Sequence, residues 1–256
     1  MNEIDEYIQF ARELAEASGE IIRKYFRMPM MVETKDDQTP VTIADCKAEG
    51  IMRKMIHKRY PDHDVVGEEY KNLESDAEYI WILDPIDGTK TFVSGSELFG
   101  TLIALTKNGR PVIGVINNPI TRKFLVGDGH QAWLNGKSVQ VRECLAIQDA
   151  TLLTTSHWSA EQYRDGPAFD RLSRRARLYR TWGDCYGYYL VATGYADIMI
   201  DPAMHIWDVA ALVPIIEGAG GVITDYYGND AMTGEGAVAT AGPLHDEVIQ
   251  ALNEGG

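Results

Sequence analysis

The chain has 256 residues, enough for one large core or two smaller ones, and its 45% hydrophobic and 24% charged content is that of an ordinary globular protein. With 38 acidic residues against 24 basic ones the net charge is −14, which repels nucleic acid and anionic lipid. No apolar run approaches the roughly 20 residues a membrane span needs, so membrane and nucleic-acid partners are both set aside. The opening MNEIDEYIQF is acidic and lacks an apolar stretch, so no signal peptide is expected and the expected compartment is cytoplasmic. Cys46, Cys144 and Cys185 are widely spaced and form neither a disulfide framework nor a CxxC zinc pattern, so any metal should be a hard, oxygen-bound cation. The same acidity repels a phosphate ester at long range. A phosphate site in this chain requires cations that reverse the field locally.

In chain order, apolar residues from Ile4 to Phe26 recur at three- and four-residue steps, which predicts an amphipathic helix. Glu33–Pro40 reads as a loop or short hairpin, and a second helix is expected from Thr42 to Tyr60, ended by Pro61. Short strands are expected at Asp64–Gly67, Tyr79–Leu83, Gly100–Thr106, Val112–Asn117 and Lys123–Gly127, with a hairpin turn at Lys107–Pro111. After Glu143 the pattern alternates. Strands are expected at Thr151–Thr155, Leu178–Thr181, Ile198–Ile200 and Gly221–Thr224, with helices at Ala160–Arg175, Tyr186–Thr193 and Val209–Glu217. The fold class is α+β, divided into an N-terminal α+β part (1–143) and a C-terminal α/β part (144–256).

Four acid-bearing segments stand out. Tyr79–Leu83 runs straight into Asp84–Pro85–Ile86–Asp87–Gly88–Thr89, where the turn residues Pro85 and Gly88 allow both carboxylates to face one spot beside the Ile86 carbonyl. Gly88 and Thr89 open a possible short helix whose N–H groups suit a phosphate oxygen; the plain alternative is a solvated acidic turn. Val65–Val66–Gly67–Glu68–Glu69 again ends a strand in acid, a pattern equally typical of a solvated surface pair. Asp208, after Trp207, stands at the head of a wholly apolar helix, as an N-cap or as a metal ligand. Asp45, beside Thr42, either completes a helix cap or partners Thr89 to polarise a water.

Taken together, Gly67–Glu68–Glu69, Asp84–Thr89, Trp207–Asp208 and the Gly218–Gly221 run resemble the inositol monophosphatase family nearly end to end. Arg180–Tyr188 and Asp201–Asp208 look most like its histidinol-phosphate phosphatase branch, which acts in histidine biosynthesis. The resemblance implies a layered αβαβα sandwich of the inositol monophosphatase and fructose-1,6-bisphosphatase type, a homodimer, and two or three Mg²⁺ ions. By resemblance, Glu68, Asp84, Ile86 (through its carbonyl), Asp87 and Asp208 hold the metals, and Asp45, Glu68 and Thr89 serve catalysis by an activated water. Asp87, Gly88, Thr89, Arg180, Asp184, Cys185, Asp201 and Asp208 contact a small phosphate ester. Arg180 is a candidate for the phosphate or for a purely structural ion pair. Aspartates at 184 and 201 suit a cationic amine, as in histidinol phosphate, better than a neutral polyol. The alternative substrate is an inositol phosphate or a sugar phosphate.

Overall fold

The N-terminal periodicity folds as one long helix, α1 (Glu3–Tyr25), in a computed structural model that describes residues 3–28, 33–34, 40–41, 43–70, 76–233 and 236–254. Its first turn carries Glu3, Asp5 and Glu6 and its last Arg23 and Lys24, which complements the helix dipole at both ends. The segment after it forms a hairpin, β1 (Glu33–Thr34) antiparallel to β2 (Pro40–Val41). Helix α2 (Ile43–Arg59) matches the expected second helix; the proposed capping residue Thr42 lies outside the described residues.

Seven strands then pair in sequence order: β3 (Asp64–Gly67), β4 (Tyr79–Asp87), β5 (Gly100–Lys107), β6 (Arg110–Asn118), β7 (Lys123–Gly127), β8 (Ala132–Leu134) and β9 (Lys137–Val139). Only β3 and β4 run parallel. A short helix, α3 (Thr89–Val93), follows β4. The hairpin at Asn108–Gly109 has φ of 51° and 79°, the left-handed pair that an Asn-Gly turn supplies at low cost. The β8–β9 hairpin, which was not expected, turns on a second Asn-Gly, Asn135–Gly136, with φ of 49° and 80°.

The C-terminal half runs β10 (Thr151–Thr154), α4 (His157–Tyr163), α5 (Gly166–Arg175), β11 (Leu178–Arg180), α6 (Asp184–Ala192), β12 (Ile198–Asp201), α7 (Ile206–Val209), α8 (Leu212–Gly218), β13 (Val222–Thr224), β14 (Ala237–Thr240) and α9 (His245–Asn253). Its sheet has the order β11-β10-β12-β14-β13, parallel across β10 and antiparallel at β14. Two expected helices are each split. Asp165 caps α5 by accepting from Ala168 N at 2.8 Å, and Gly166–Pro167 begin it, so α4 must stop before them. Pro214, whose ring crowds the carbonyl four residues back, separates α7 from α8 at Ala210–Ala211. Strand β14 and helix α9 were not expected at all.

Neighbouring residues of one strand face different cores, and this assembles five layers. Trp81, Leu83 and Ile103 pack under α1 and α2, whereas Ile82, Leu102 and Ala104 pack against Tyr188, Leu212 and Ile215 of the central helices. Met199 and Ala239 close that central core from the second sheet, while Ile198, Ile200 and Val238 face Phe169, Leu172 and Val248 on the far side. The result is the αβαβα sandwich. Among the described residues no helix is long and apolar enough to cross a membrane.

Candidate metal centre and substrate pocket

The acidic turn begins as a strand irregularity. Strand β4 does not end at Leu83 but continues to Asp87, with Asp84 opposite Leu102 and Asp87 opposite Gly100. Three steps on β4 therefore match two on β5, a bulge of one residue. In a regular strand, residues three apart point to opposite faces; the extra residue restores the parity, so Asp84 and Asp87 face the same side. Thr101 Oγ1 holds the bulge by donating to the Pro85 carbonyl at 2.8 Å. Gly88, at φ 88°, then turns the chain into α3, and Thr89 Oγ1 donates to the Ile86 carbonyl at 3.1 Å.

Asp208 arrives from the other half of the chain. It is not the N-cap of α7 but the third residue of the helix, and its Oδ2 accepts from His205 N at 2.8 Å. Carboxylate oxygens of Asp84, Asp87 and Asp208 all lie within 4.8 Å of one another. Glu68, whose backbone N–H donates to the Leu83 carbonyl beside β4, is close enough to raise the pKa of both Asp84 and Asp208. Asp45, buried at the head of α2, adds to the effect on Asp84.

Without a cation these acids resist ionisation. Burial, then Asp87, Glu68, Asp208 and Asp45, pushes Asp84 well above the usual carboxylate range. Burial, Asp184 and Asp208 do the same to Asp87 against the opposing hydrogen bonds from the Cys185 thiol and N–H. Burial raises Asp208 to about 7, resisted by the His205 N–H. Asp84 Oδ1 is buried with no hydrogen-bond partner. An all-oxygen acid cluster, buried at Asp84 and half-buried at Asp87 and Asp208, with one oxygen left without a partner, suits a hard divalent cation such as Mg²⁺, whose charge removes the repulsion that keeps the acids protonated.

A cavity of about 160 Å³ opens beside this trio, lined by Asp87, Asp184, Asp201 and Asp208 together with Thr155, Ser159, Tyr163 and Met204. Asp184 adopts φ 50°, and Thr91 Oγ1 donates to its Oδ2 at 2.8 Å, so its carboxylate lies over the Gly88 turn. A Cβ at Gly88 would stand 2.7 Å from that oxygen. Cys185 contributes its backbone N–H, donated to Asp87 Oδ2, and its buried thiol is also within hydrogen-bonding reach of Asp87. Asp201 accepts from Thr155 N at 3.1 Å and from Tyr188 OH at 3.2 Å. Arg180 is not brought to the site. It ends an edge strand, is exposed, and donates to the Tyr179 carbonyl at 2.7 Å. Thr155, Ser159 and Tyr163 were missed by sequence reasoning. The strand-end position of Thr155 was a usable signal; nothing marked Ser159 or Tyr163 on a helix that periodicity had merged with α5.

Burial raises Asp201 to about 7, resisted by the bonds from Thr155 and Tyr188. Its folded pKa lies above the unfolded value, so its ionised form opposes folding above pH 7, and the opposition fades as pH falls through 7 toward the ordinary value of 3.8. Asp201→Asn is therefore expected to raise the melting temperature of metal-free protein at pH 8 and to give a smaller gain at pH 5. Thermal melts at the two pH values measure this; an equal change at both would refute the linkage.

Comparison with known proteins agrees with this geometry. A family model described as the inositol monophosphatase family matches residues 3–256. The chain is 40% identical to the bifunctional phosphatase IMPL2 of Arabidopsis thaliana, covering 98% of this chain and 76% of that one. It is 40% identical to a histidinol-phosphatase of Chlorobaculum parvum, covering 97% of each, and 32% identical to inositol monophosphatase 3 of Solanum lycopersicum, covering 98% of each. Among solved structures, an inositol monophosphatase from Zymomonas mobilis superposes with TM-score 0.89 at 36% identity, covering 98% of this chain and 99% of that one. The chain belongs to the inositol monophosphatase family and is a phosphoric monoester hydrolase.

Proposed function

We propose that the chain is a Mg²⁺-dependent phosphatase that hydrolyses histidinol phosphate to histidinol and phosphate. The observation that carries the substrate choice is the pair Asp184 and Asp201 in the wall of the cavity beside the acid trio. Two further carboxylates there favour a substrate whose alcohol part bears a cationic amine, and disfavour a neutral polyol. The reading is supported by relatives in Mycobacterium tuberculosis and Streptomyces coelicolor, 35% and 33% identical, that are named histidinol-phosphatase.

In this reading Glu68, Asp84, Asp87, Asp208 and the Ile86 carbonyl hold two or three Mg²⁺ ions. When bound, the metal supplies positive charge that neutralises the carboxylates and phosphate, acidifies water and stabilises the leaving oxygen. The protein's own part is positional. Asp84 and Asp87 are fixed on a bulged strand and Asp208 on a helix, so the ligand set is preorganised on regular elements. In the proposed step Thr89 Oγ1 would accept a proton from the attacking water as its own proton passes to the Asp45 carboxylate, and that proton is then returned to the departing alkoxide. The Gly88 and Thr89 N–H groups receive the phosphate, and Asp184 and Asp201 orient the amine. None of these groups is an activated nucleophile, so water attacks the ester directly.

Histidinol phosphate and inositol 1-phosphate, assayed with Mg²⁺ under identical conditions, test the proposal. The expected kcat/KM ratio is at least about tenfold in favour of histidinol phosphate, about 1.4 kcal/mol of transition-state discrimination. A tenfold preference for inositol phosphate would overturn the substrate. Excess EDTA should abolish turnover of both, with recovery on adding Mg²⁺; undiminished turnover would overturn the metal.

A further inference from the structure

Away from the acidic centre, one groove reverses the sign of the molecule. It has a volume of about 440 Å³ and lies where α1 crosses the β6–β7 turn. Arg12 and Arg23 enter it from α1 and Arg122 from the turn, against a single carboxylate, Glu16. Among the described residues no carboxylate lies within ion-pairing distance of any of the three arginines. In contrast, Arg27, Arg53, Arg59, Arg142, Arg174 and Arg175 each pair with an acid. In a chain with 38 acidic residues and only 24 basic ones, a groove that gathers three arginines around one carboxylate concentrates charge opposite in sign to the whole molecule.

The groove is also held in place. Arg12 stacks its guanidinium over Phe124, 4.0 Å from the ring centroid, which engages its face and leaves in-plane N–H donors available. Arg122 adopts φ 55°, a left-handed conformation, and its carbonyl accepts from Asn135 Nδ2 at 3.1 Å. Asn135 Oδ1 in turn accepts from Phe124 N at 2.9 Å, tying the turn to the ring under Arg12. Asn117 Nδ2 donates to the Ala15 carbonyl at 3.3 Å and fixes α1 to β6. Gly19 allows that approach, since a Cβ there would lie 3.1 Å from Pro119 and 3.3 Å from the Arg23 guanidinium.

We infer that this groove is a second ligand site, distinct from the metal centre, for a small polyanion carrying two or more phosphate groups. Arg12 and Arg23 are eleven residues apart on one helix, about 16 Å along its axis. Guanidinium groups that enter one groove from separate backbone positions match a ligand with more than one anionic group better than a single phosphate. Guanidinium groups form charge-assisted, bidentate bonds to phosphate oxygens, and the cavity has the size of small-ligand sites. The inference does not rest on the substrate proposed above.

Inorganic tripolyphosphate, titrated calorimetrically into the full chain in EDTA, tests it. With divalent cations removed, the acidic centre repels the probe and leaves the groove as the expected site. One tripolyphosphate per chain should bind, more weakly as salt is raised. Arg23→Gln combined with Arg122→Asn, which retains a residue tolerant of the left-handed turn, should weaken binding at least tenfold. Arg171→Gln with Arg174→Gln, at another exposed basic patch, should leave it within twofold. No binding to the unaltered chain, or equal affinity in the groove variant, would overturn the inference, as would equal losses in both double variants. An independent reading on the unaltered protein is protection of Arg12, Arg23 and Arg122 from an arginine-specific dicarbonyl reagent by tripolyphosphate. Absence of protection would also overturn it.

Discussion

Asp84→Asn is expected to lower kcat by at least about 10³-fold while raising the melting temperature of the metal-free protein. The two effects share one cause. Asp84 is buried among Asp87, Glu68, Asp208 and Asp45, and burial with their charge resists its ionisation. Replacing it by a neutral isostere removes like-charge repulsion from the empty cluster, so the fold gains stability near neutral pH. The same replacement removes a carboxylate from the proposed metal ligand set, and a loss of about three decades in rate corresponds to about 4 kcal/mol of transition-state stabilisation. Added Mg²⁺ should stabilise the unaltered chain against heat and stabilise Asp84→Asn much less, since ligand binding raises stability only where the ligand binds. Melting curves with and without Mg²⁺, together with turnover on a phosphate ester, decide the matter. Retained turnover, or an equal Mg²⁺-induced shift in both proteins, would remove Asp84 from the metal site.

Why Asp84 and Asp87 were legible as a pair, and the pocket wall was not, follows from the range of the interactions involved. The pair is local: Pro85 and Gly88 mark an irregularity, and two acids within it have few purposes beyond charge. The structure changes the local account only in one respect, replacing a turn after Leu83 with a bulge inside β4. Asp208 was legible from a different physical cue, an acid heading an apolar helix, although its place is the third residue of α7 and not the cap. Ser159 and Tyr163 reach the cavity only because β10 and α4 are set beside α6 by pairing between strands distant in sequence. No pattern within α4 announces that. Arg180 is the reverse case: its type and its neighbours suggest a phosphate or a structural ion pair, and sheet order puts it at an edge, outside the lining of this cavity. The unexpected hairpin at Asn135–Gly136 and the break at Asp165–Gly166–Pro167 were both written in local turn and cap chemistry. They were obscured by reading hydrophobic period ahead of punctuation. Strand β14 is different. Ala237–Thr240 is short and built largely of alanine, and its burial comes from lying between β12 and β13.

Gly114→Ala is expected to cost about 3 kcal/mol of stability and to reduce kcat/KM at least about tenfold, although residue 114 touches neither metal nor substrate. Gly114 on β6 lies directly opposite Gly127 on β7, and the two together form a flat place on the seven-stranded sheet. The backbone of the α7–α8 junction and of the first turn of α8 fills it. A Cβ at Gly114 would collide with the carbonyl oxygen and backbone of Ala211, and one at Gly127 with the backbone of Pro214 and Ile215. Backbone cannot rotate aside as a side chain can, so relief requires the α7–α8 segment to lift from the sheet. Ala211 is three residues from Asp208, so that movement carries Asp208 away from Asp84 and Asp87, which are anchored in the sheet itself. Stability and activity should therefore fall together, and raised Mg²⁺ should restore part of the activity by favouring the closed arrangement. Gly242→Ala is the control, because the nearest atom to its Cβ, the Gly220 carbonyl oxygen, is 3.8 Å away and the stability change should stay within about 0.5 kcal/mol. Denaturant unfolding of both variants with parallel kinetics separates the outcomes. A Gly114→Ala protein as stable and as active as its parent would mean that the contact between sheet and helix does not set the position of Asp208.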